Sequence, residues 1–316
     1  MVPRNQCPAC GQAGAPYVAD LLFAAPPLSR YLQEFYGPYP QCDFSSLAHE
    51  RFRLADCAGC RCIYQDPVPG NVFLAKFYGK GLYGTAYSEP ARVQPYQVEQ
   101  ITRELMMVVR FFQPGIARPS VLDFGTGNGQ CAMLAAAAGL DTHACDLSEH
   151  AFPELQARGI TCHRLDALPP TRFDFINTEQ VFEHLAQPAA ELRRLTQALR
   201  PGGLLKIGVP FDPQLRFKLR QPDWTAPKNA PASLNAVAPI EHLNHFETTS
   251  LHALGRQAGL VPLSVVGWTL HRDAPAPGGL RARLGHWLRS RLGDYYRPHF
   301  ALTQTVFFQK TSLSPS

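Results

Sequence analysis

Ser120-Val-Leu-Asp123-Phe-Gly125-Thr-Gly127-Asn-Gly129-Gln130 runs directly into Cys131-Ala-Met-Leu-Ala-Ala-Ala-Ala138. Val121, Leu122 and Phe124 form a short apolar run, as expected of a strand buried in a parallel sheet. The alanine-rich run is a strong helix former. Strand, glycine turn and helix in that order open an α/β sheet of the nucleotide-binding type. Alternating glycines let backbone approach a ligand closely and take positive φ. The N–H groups that open the helix have no partner within it. The spacing Gly-x-Gly-x-Gly departs from the dinucleotide fingerprint Gly-x-Gly-x-x-Gly. Asp123 also places a carboxylate where a pyrophosphate needs a clear helix end. A ligand with cationic character suits this loop better than a phosphate.

The α/β pattern continues to about residue 210. A second strand, Thr142–Asp146, ends on an acid able to accept both hydroxyls of a ribose. A helix over Glu149–Arg158 leads to Ile160-Thr-Cys-His-Arg-Leu-Asp166-Ala167. Phe173–Asn177 reads as a fourth strand, followed by Glu183-His184-Leu185. A helix over Ala189–Leu199 and the turn Leu199-Arg-Pro-Gly-Gly203 lead to a fifth strand, Leu204–Pro210. Upstream, Ile101, Leu105, Val108, Val109 and Phe112 fall at helical spacing over 93–112, stopped by Pro114 and Gly115. Downstream, helix Thr248–Gln257 precedes strand Val261–Trp268, and the last strand is Thr305–Gln309.

The glycine loop, Asp146, Asp166-Ala167, the Glu-His pair and the Leu-Arg-Pro-Gly-Gly turn resemble, in order and spacing, the class I S-adenosylmethionine (SAM) methyltransferases. That resemblance implies an α/β fold with a seven-stranded, Rossmann-like sheet whose last strand is antiparallel. It implies SAM as cofactor, with contacts at Asp123, Gly125, Thr126, Gly127, Asp146, Leu147, Asp166, Ala167 and Asn177. It implies an enzyme, a SAM-dependent methyltransferase, acting on a small-molecule acceptor.

Residues 1–70 read as a separate module. Cys7-Pro-Ala-Cys10 and Cys57-Ala-Gly-Cys60 supply four thiolates, the set for a tetrahedral zinc ion in a zinc-ribbon-like fold. Tight turns, eased by Gly11 and Gly59, aim each pair at one point; Cys62 is an alternative to Cys60, and Cys42 an outsider. Residues 71–118 form a helical and aromatic linker in which Tyr78, Tyr83 and Tyr87 belong either to a packed loop or to a cover for a ligand. Residues 119–316 form the methyltransferase domain, with a lid insert at 211–246 and a basic amphipathic insert at 270–303. The arginines over 280–292 are a solvated face by default, and a surface contact with membrane or polyanion is the alternative.

The cysteine module together with the Glu-His-Leu motif is similar to sugar-modifying methyltransferases, including deoxysugar C-methyltransferases. In that group a Tyr-His-Glu-His-Leu motif supplies a catalytic His and Glu. Here the matching residues are Pro239-Ile240-Glu241-His242-Leu243, so the Glu-His pair is kept and the Tyr and first His are replaced. The resemblance assigns proton acceptance to His242 oriented by Glu241, with His184 as second candidate, and a sugar or glycan precursor as acceptor. A carboxylate beside His242 is expected to raise its basicity. A zinc-module RNA methyltransferase and a non-catalytic SAM-fold scaffold are the alternatives.

Composition sets the outer limits. The chain has 316 residues, 45% hydrophobic and 17% charged, enough for a sizeable core. A net charge of +5 spread over this length does not indicate nucleic acid. No apolar leader or span is evident, and the expected location is the cytoplasm.

Overall fold

A computed structural model of the chain describes residues 1–37, 43–78, 94–228, 230–266, 269–272 and 303–311. In chain order the first elements are strand β1 (Tyr17–Leu22), helix α1 (Pro26–Tyr36), strands β2 (Arg51–Asp56) and β3 (Ile63–Gln65), and helix α2 (Asn71–Lys76). The long helix α3 (Pro95–Phe112) leads into β4 (Ser120–Phe124), α4 (Gln130–Ala137), β5 (Asp141–Cys145), α5 (Phe152–Ala157), β6 (Thr161–His163) and β7 (Phe173–Glu179). Then come α6 (Pro188–Ala198), β8 (Leu199–Pro210), α7 (Leu215–Lys218), β9 (Asn244–His245) and α8 (Thr248–Gln257). Strands β10 (Leu260–Val266), β11 (Thr269–Arg272) and β12 (Thr303–Lys310) complete the series. Tyr83, Tyr87, Cys42 and the basic stretch 280–292 lie outside the described residues. Among the described residues no helix is long and apolar enough to cross a membrane.

The chain divides into two compact units. The first comprises Met1–Pro90, Gln180–Glu191 and Val209–Leu254; the second comprises Ala91–Glu179, Leu192–Gly208 and Gly255–Ser316. This division departs from one that follows chain order, with breaks at 70 and 118. The reason is pairing: β9 joins β3, with Ile63 opposite His245 and Tyr64 opposite Asn244.

The first unit holds a four-stranded sheet in the order β1-β2-β3-β9, antiparallel throughout. In β2 the side chains alternate, with Phe52 and Leu54 fully buried between half-buried Arg51 and Arg53. That period of two aims one face at a core built of Leu28, Leu32, Tyr36, Ile63, Phe77 and Trp224. Leu215, Val237 and Ile240, from the segment expected as a lid, are buried in this same core. The stretch between the two cysteine knuckles supplies β1, α1 and β2.

The second unit holds an eight-stranded sheet in the order β11-β10-β12-β8-β7-β4-β5-β6. Strands β4, β5, β6, β7 and β8 pair in parallel, and β10 pairs antiparallel with both β11 and β12. The sheet has one strand more than the seven expected, because β11 folds back on β10 with Thr269 opposite Val266. Strand β8 also starts earlier than predicted. It takes in the Pro201-Gly202-Gly203 turn, with a register shift against β7 between Phe173 and Phe175. Gly203 is required there: a Cβ would lie 2.9 Å from the Arg200 carbonyl and 3.1 Å from that of Asp174.

Helix α3 begins at Pro95, with the Gln94 N–H donating to Gln97 Oε1. It ends before Pro114, since a residue preceding proline is driven to extended backbone. Its Leu105, Met107 and Val108 pack with Val121, Phe175, Leu204 and Phe307. Ala132, Ala144, Leu155 and Ile160 form a second core. Among the charged groups buried here, Lys206 is 2% exposed and pairs with Glu104 and Glu179, the latter at 2.7 Å. Burial alone would lower the Lys206 ammonium, but the two carboxylates outweigh it and raise it.

Candidate functional site

Strand β4 lies between β5 and β7, so the order of successive strands reverses at its carboxyl end. Open α/β sheets bind ligands at that switch point. The glycine loop sits there, with Gly125, Gly127 and Gly129 at φ of 75°, 51° and 77°. Each has its reason. The Gly125 N–H donates to the Cys145 carbonyl at 2.8 Å, closing the turn onto β5. Gly129 caps α4 against Leu155, whose Cδ2 would lie 2.5 Å from a Cβ. At Gly127 a Cβ would meet open space, so the backbone there is open to approach.

Asp123 does not face that space. It is 3% exposed and accepts from Thr126 Oγ1 at 2.8 Å, the Ala132 N–H at 3.2 Å and Asn177 Nδ2 at 2.8 Å. Burial pushes its carboxyl up, against the pull of these donors. Its work is to tie loop, helix α4 and strand β7 together, and Thr126 and Asn177 are its partners in that. Asp146 is the acid at the surface of the loop. Its Oδ2 accepts the Gly127 N–H and its Oδ1 the Ser148 N–H, both at 2.8 Å. Each carboxylate oxygen keeps a further lone pair for a ligand hydroxyl. Leu147 beside it is 59% exposed, an apolar side chain held out at the sheet edge. Asp166 and Ala167 lie in the turn Leu165–Ala167 after β6, the strand that pairs with β5. The Asp166 side chain is 77% exposed and faces Arg164 at 3.5 Å.

In the first unit, His184, Glu241 and His242 come together. The turn Phe182–His184 is held from outside: Asn244 Nδ2 donates to the carbonyls of Phe182 and Leu185 at 3.0 and 2.8 Å. Arg4, from the chain's start, donates to the carbonyls of Leu185 and Ala186 and to Asn244 Oδ1. The rings of His184 and His242 have centroids 5.0 Å apart. His184 Nδ1 lies 2.8 Å from the backbone carbonyl of Glu241 and 3.1 Å from the Tyr78 hydroxyl. A carbonyl only accepts, so Nδ1 carries the proton and Nε2 carries the lone pair. His242 Nδ1 likewise donates to the Asn235 carbonyl. The Glu241 carboxylate accepts from the Tyr36 hydroxyl at 2.8 Å.

This arrangement corrects two expectations. The Asn235 carbonyl orients His242, while Glu241 orients His184 through its main chain. The basicity of His242 is not raised: burial and the neighbouring His184 lower its pKa to about 4, outweighing Glu241. His184 is also lowered, first by burial. Tyr36 and Asn235 had no signal in the sequence; Tyr36 is only the last turn of an amphipathic helix.

The four cysteines also converge. Cys7 and Cys60 sulfurs are 3.5 Å apart, as are those of Cys10 and Cys57, and all four lie within 4.8 Å of one another. A tetrahedral ion with Zn–S bonds of about 2.3 Å needs sulfur separations of about 3.8 Å. The two knuckles share one shape: the Gly11 N–H donates to the Cys7 carbonyl and the Arg61 N–H to that of Cys57, both donors at positive φ. Arg61, not Gly59, thus takes the left-handed position. Gly59 lies against the Gln12 side chain, whose Oε1 would be 2.0 Å from a Cβ and would have to swing aside. Cys62 turns its sulfur towards the Ile63 carbonyl and stands outside the group of four.

The family model described as "Methyltransferase domain" matches residues 98–265. The tRNA 5-carboxymethoxyuridine methyltransferase of Escherichia coli (strain K12) is 28% identical over 148 residues, 42% of this chain and 53% of that protein. The ubiquinone biosynthesis O-methyltransferase of Albidiferax ferrireducens is 30% identical over 100 residues, 28% of this chain and 40% of that protein. The chain thus spans about half the length, or less, of the curated relatives it matches. Among solved structures, the 1,6-didemethyltoxoflavin-N1-methyltransferase of Burkholderia thailandensis is 17% identical, with a TM-score of 0.46, over 82% of this chain and 96% of that one.

The buried histidines generate a stability prediction. His242 and His245 are 6% and 1% exposed, and burial lowers each pKa to about 4. Between pH 6.5 and 4 the unfolded chain binds protons that the folded chain refuses, so stability falls as pH falls through this window. At pH 5 the loss should be on the order of 1–2 kcal/mol for each ring. Urea unfolding at pH 7 and pH 5 measures it. The double variant His242→Gln/His245→Gln should flatten the dependence; an unchanged slope in that variant would show that other groups set it.

Proposed function

The chain belongs to the methyltransferase domain family, with the fold of SAM-dependent methyltransferases, and from that premise we propose that it transfers the methyl group of SAM to a small-molecule acceptor. The observation that carries the cofactor assignment is the loop itself. An open backbone cradle at Gly127 is locked by Asp146, whose carboxylate keeps lone pairs for a ribose. Gly125, Thr126 and Gly127 would line the methionine end, Asp146 and Leu147 the adenosine, and Asp166 and Ala167 the base. Asp123 and Asn177 would act from behind the loop. When bound, SAM supplies an electrophilic methyl on sulfonium. The chain's residues position a nucleophile and, where it carries a proton, remove that proton.

For proton removal we propose His184 and His242, with Glu241. Both rings are kept neutral by burial, and the tautomer leaves Nε2 as the base. His184 is the better placed of the two, being the more exposed at 18%. An acceptor hydroxyl could give its proton to Nε2 while Nδ1–H stays bonded to the Glu241 carbonyl. A sugar or glycan precursor is the acceptor class we favour, because the Glu241-His242 pair resembles the Glu-His pair in the motif of sugar-modifying methyltransferases. An open groove of about 350 Å³ lies in the same unit, lined by Leu32, Gln33, Tyr36 and Phe44, and it meets the cluster only through Tyr36, the donor to Glu241. The similarity to a tRNA methyltransferase supports a second reading, in which the acceptor is a tRNA nucleoside.

We also propose that Cys7, Cys10, Cys57 and Cys60 hold one zinc ion that ties the two knuckles together. Purified under reducing, chelator-free conditions, the chain should contain about one zinc, and Cys7→Ser should lose most of it and melt earlier. A metal-free wild-type chain that folds normally would eliminate the zinc.

For the cofactor, Asp146→Ala should weaken SAM binding tenfold to a hundredfold, the equivalent of about 1.5–3 kcal/mol for charge-assisted hydrogen bonds. Isothermal calorimetry on the folded variant reads this directly. Wild-type affinity in Asp146→Ala would sink the assignment.

For the chemistry, labelled SAM should pass its methyl into a nucleotide-sugar fraction and not into tRNA. His184→Gln should then lower kcat about a hundredfold or more, with SAM affinity kept. Label entering tRNA instead would favour the second reading. Full turnover in both His184→Gln and His242→Gln would remove the histidines from the mechanism.

A further inference from the structure

We propose that Glu183, His184 and His242 form a second metal site, for a divalent transition-metal ion of the zinc class, distinct from the four cysteines. One donor atom from each of the three residues lies within 4.8 Å of the others. His184 Nε2 stands 3.5 Å from Glu183 Oε1. An ion bound at about 2.0–2.2 Å needs donor separations of roughly 3–3.5 Å, so His184 and Glu183 already meet the requirement and the third donor needs a modest shift.

The proton inventory favours a metal here. Both Nδ1–H groups are spent on main-chain carbonyls, His184 on Glu241 and His242 on Asn235. That is the outer-shell arrangement by which metal-binding histidines have their tautomer and ring plane fixed. Each ring is left with its lone pair on Nε2, in the neutral form that a metal requires. Glu183 is 1% exposed, so its carboxylate is held away from bulk water. The donor set of two imidazoles and one carboxylate suits zinc, cobalt or iron(II) and not magnesium or calcium, which take oxygen donors. Three protein ligands leave at least one coordination position open. The turn Phe182–His184 is pinned by Asn244, so two of the three ligands sit on backbone held in place before any ion arrives.

The site has a consequence that rests on the proton-acceptor role proposed above. A metal ion takes the same Nε2 lone pairs that would accept the acceptor's proton. Occupancy and base catalysis therefore exclude each other, and metal binding should inhibit methyl transfer. Metal binding itself does not depend on that role.

The test uses the full-length chain with its cysteine cluster already loaded with zinc, titrated with Co²⁺. One further equivalent should bind, giving ligand-field absorption without the thiolate-to-cobalt charge-transfer band that a cysteine site would show. Glu183→Gln and His242→Gln should each weaken it at least about tenfold, and Cys7→Ser should leave it intact. Should these variants fold poorly, proton NMR of the wild-type cobalt form replaces them. Two exchangeable, paramagnetically shifted imidazole N–H signals, from His184 and His242, are expected. No second equivalent, unchanged affinity in Glu183→Gln, or absence of the shifted N–H signals would overturn the site. Activity separates the two proposals. Binding without inhibition keeps the metal site and refutes the histidine base. Loss of turnover in His184→Gln without cobalt binding does the reverse.

Discussion

The buried carboxylate of Asp123 is the constraint on which the second unit depends. It sits on the central strand, and its donors come from the loop, the helix after the loop and the neighbouring strand. A carboxylate at 3% exposure is costly unless its lone pairs are used. Here they are used by three elements that must meet for the glycine loop to take its shape. The positive φ values of Gly125, Gly127 and Gly129 are therefore held by a polar anchor as well as permitted by missing Cβ atoms. Asp146 then finishes the loop from the next strand, accepting the N–H of Gly127.

The first unit solves a different problem. Its sheet is small, and three of its four strands come from the first 65 residues. The fourth, β9, comes from residues 244 and 245, and the segments after β7 and β8 are built into the same unit. Asn244 is the hinge pin of that construction. Its amide donates to the carbonyls around His184, its carbonyl oxygen accepts from Arg4, and its backbone position pairs with Tyr64. One residue thus links the amino-terminal arm, the cysteine-bearing sheet and the turn that carries Glu183 and His184.

Electrostatics in the Glu-His cluster is decided by burial. A carboxylate next in sequence to His242 argues for a strong base, yet the ring is held near pKa 4 because water is excluded and a second imidazole lies close by. Neutral, tautomer-fixed rings are suited to accepting a proton from a hydroxyl or to ligating a metal. They are not suited to carrying charge in the resting state. The hydroxyls of Tyr36 and Tyr78 complete the polar lining, the first on the Glu241 carboxylate and the second beside His184.

By itself the sequence determined what depends on local pattern. The apolar run before the glycines, the alanine-rich helix, the acid ending the second strand and the Leu-Arg-Pro-Gly-Gly turn each carry their signal within a few residues. That sufficed for the parallel sheet and its loop. The paired Cys-x-x-Cys spacing likewise announced four sulfurs at one place, because each knuckle is a single turn. Only the tertiary structure decided the rest. It turned Asp123 inward, put Arg61 in the left-handed position expected of a glycine, and added β11 to the sheet. It also set the stretch expected as a lid into the core of the first unit. The convergence of Glu183 with His242, the capture of His184 by the Glu241 main chain, and the sign of the histidine pKa shifts were beyond reach of spacing. Each depends on groups far apart in the chain and on how much water the fold leaves between them, and neither quantity is written in any local run of residues.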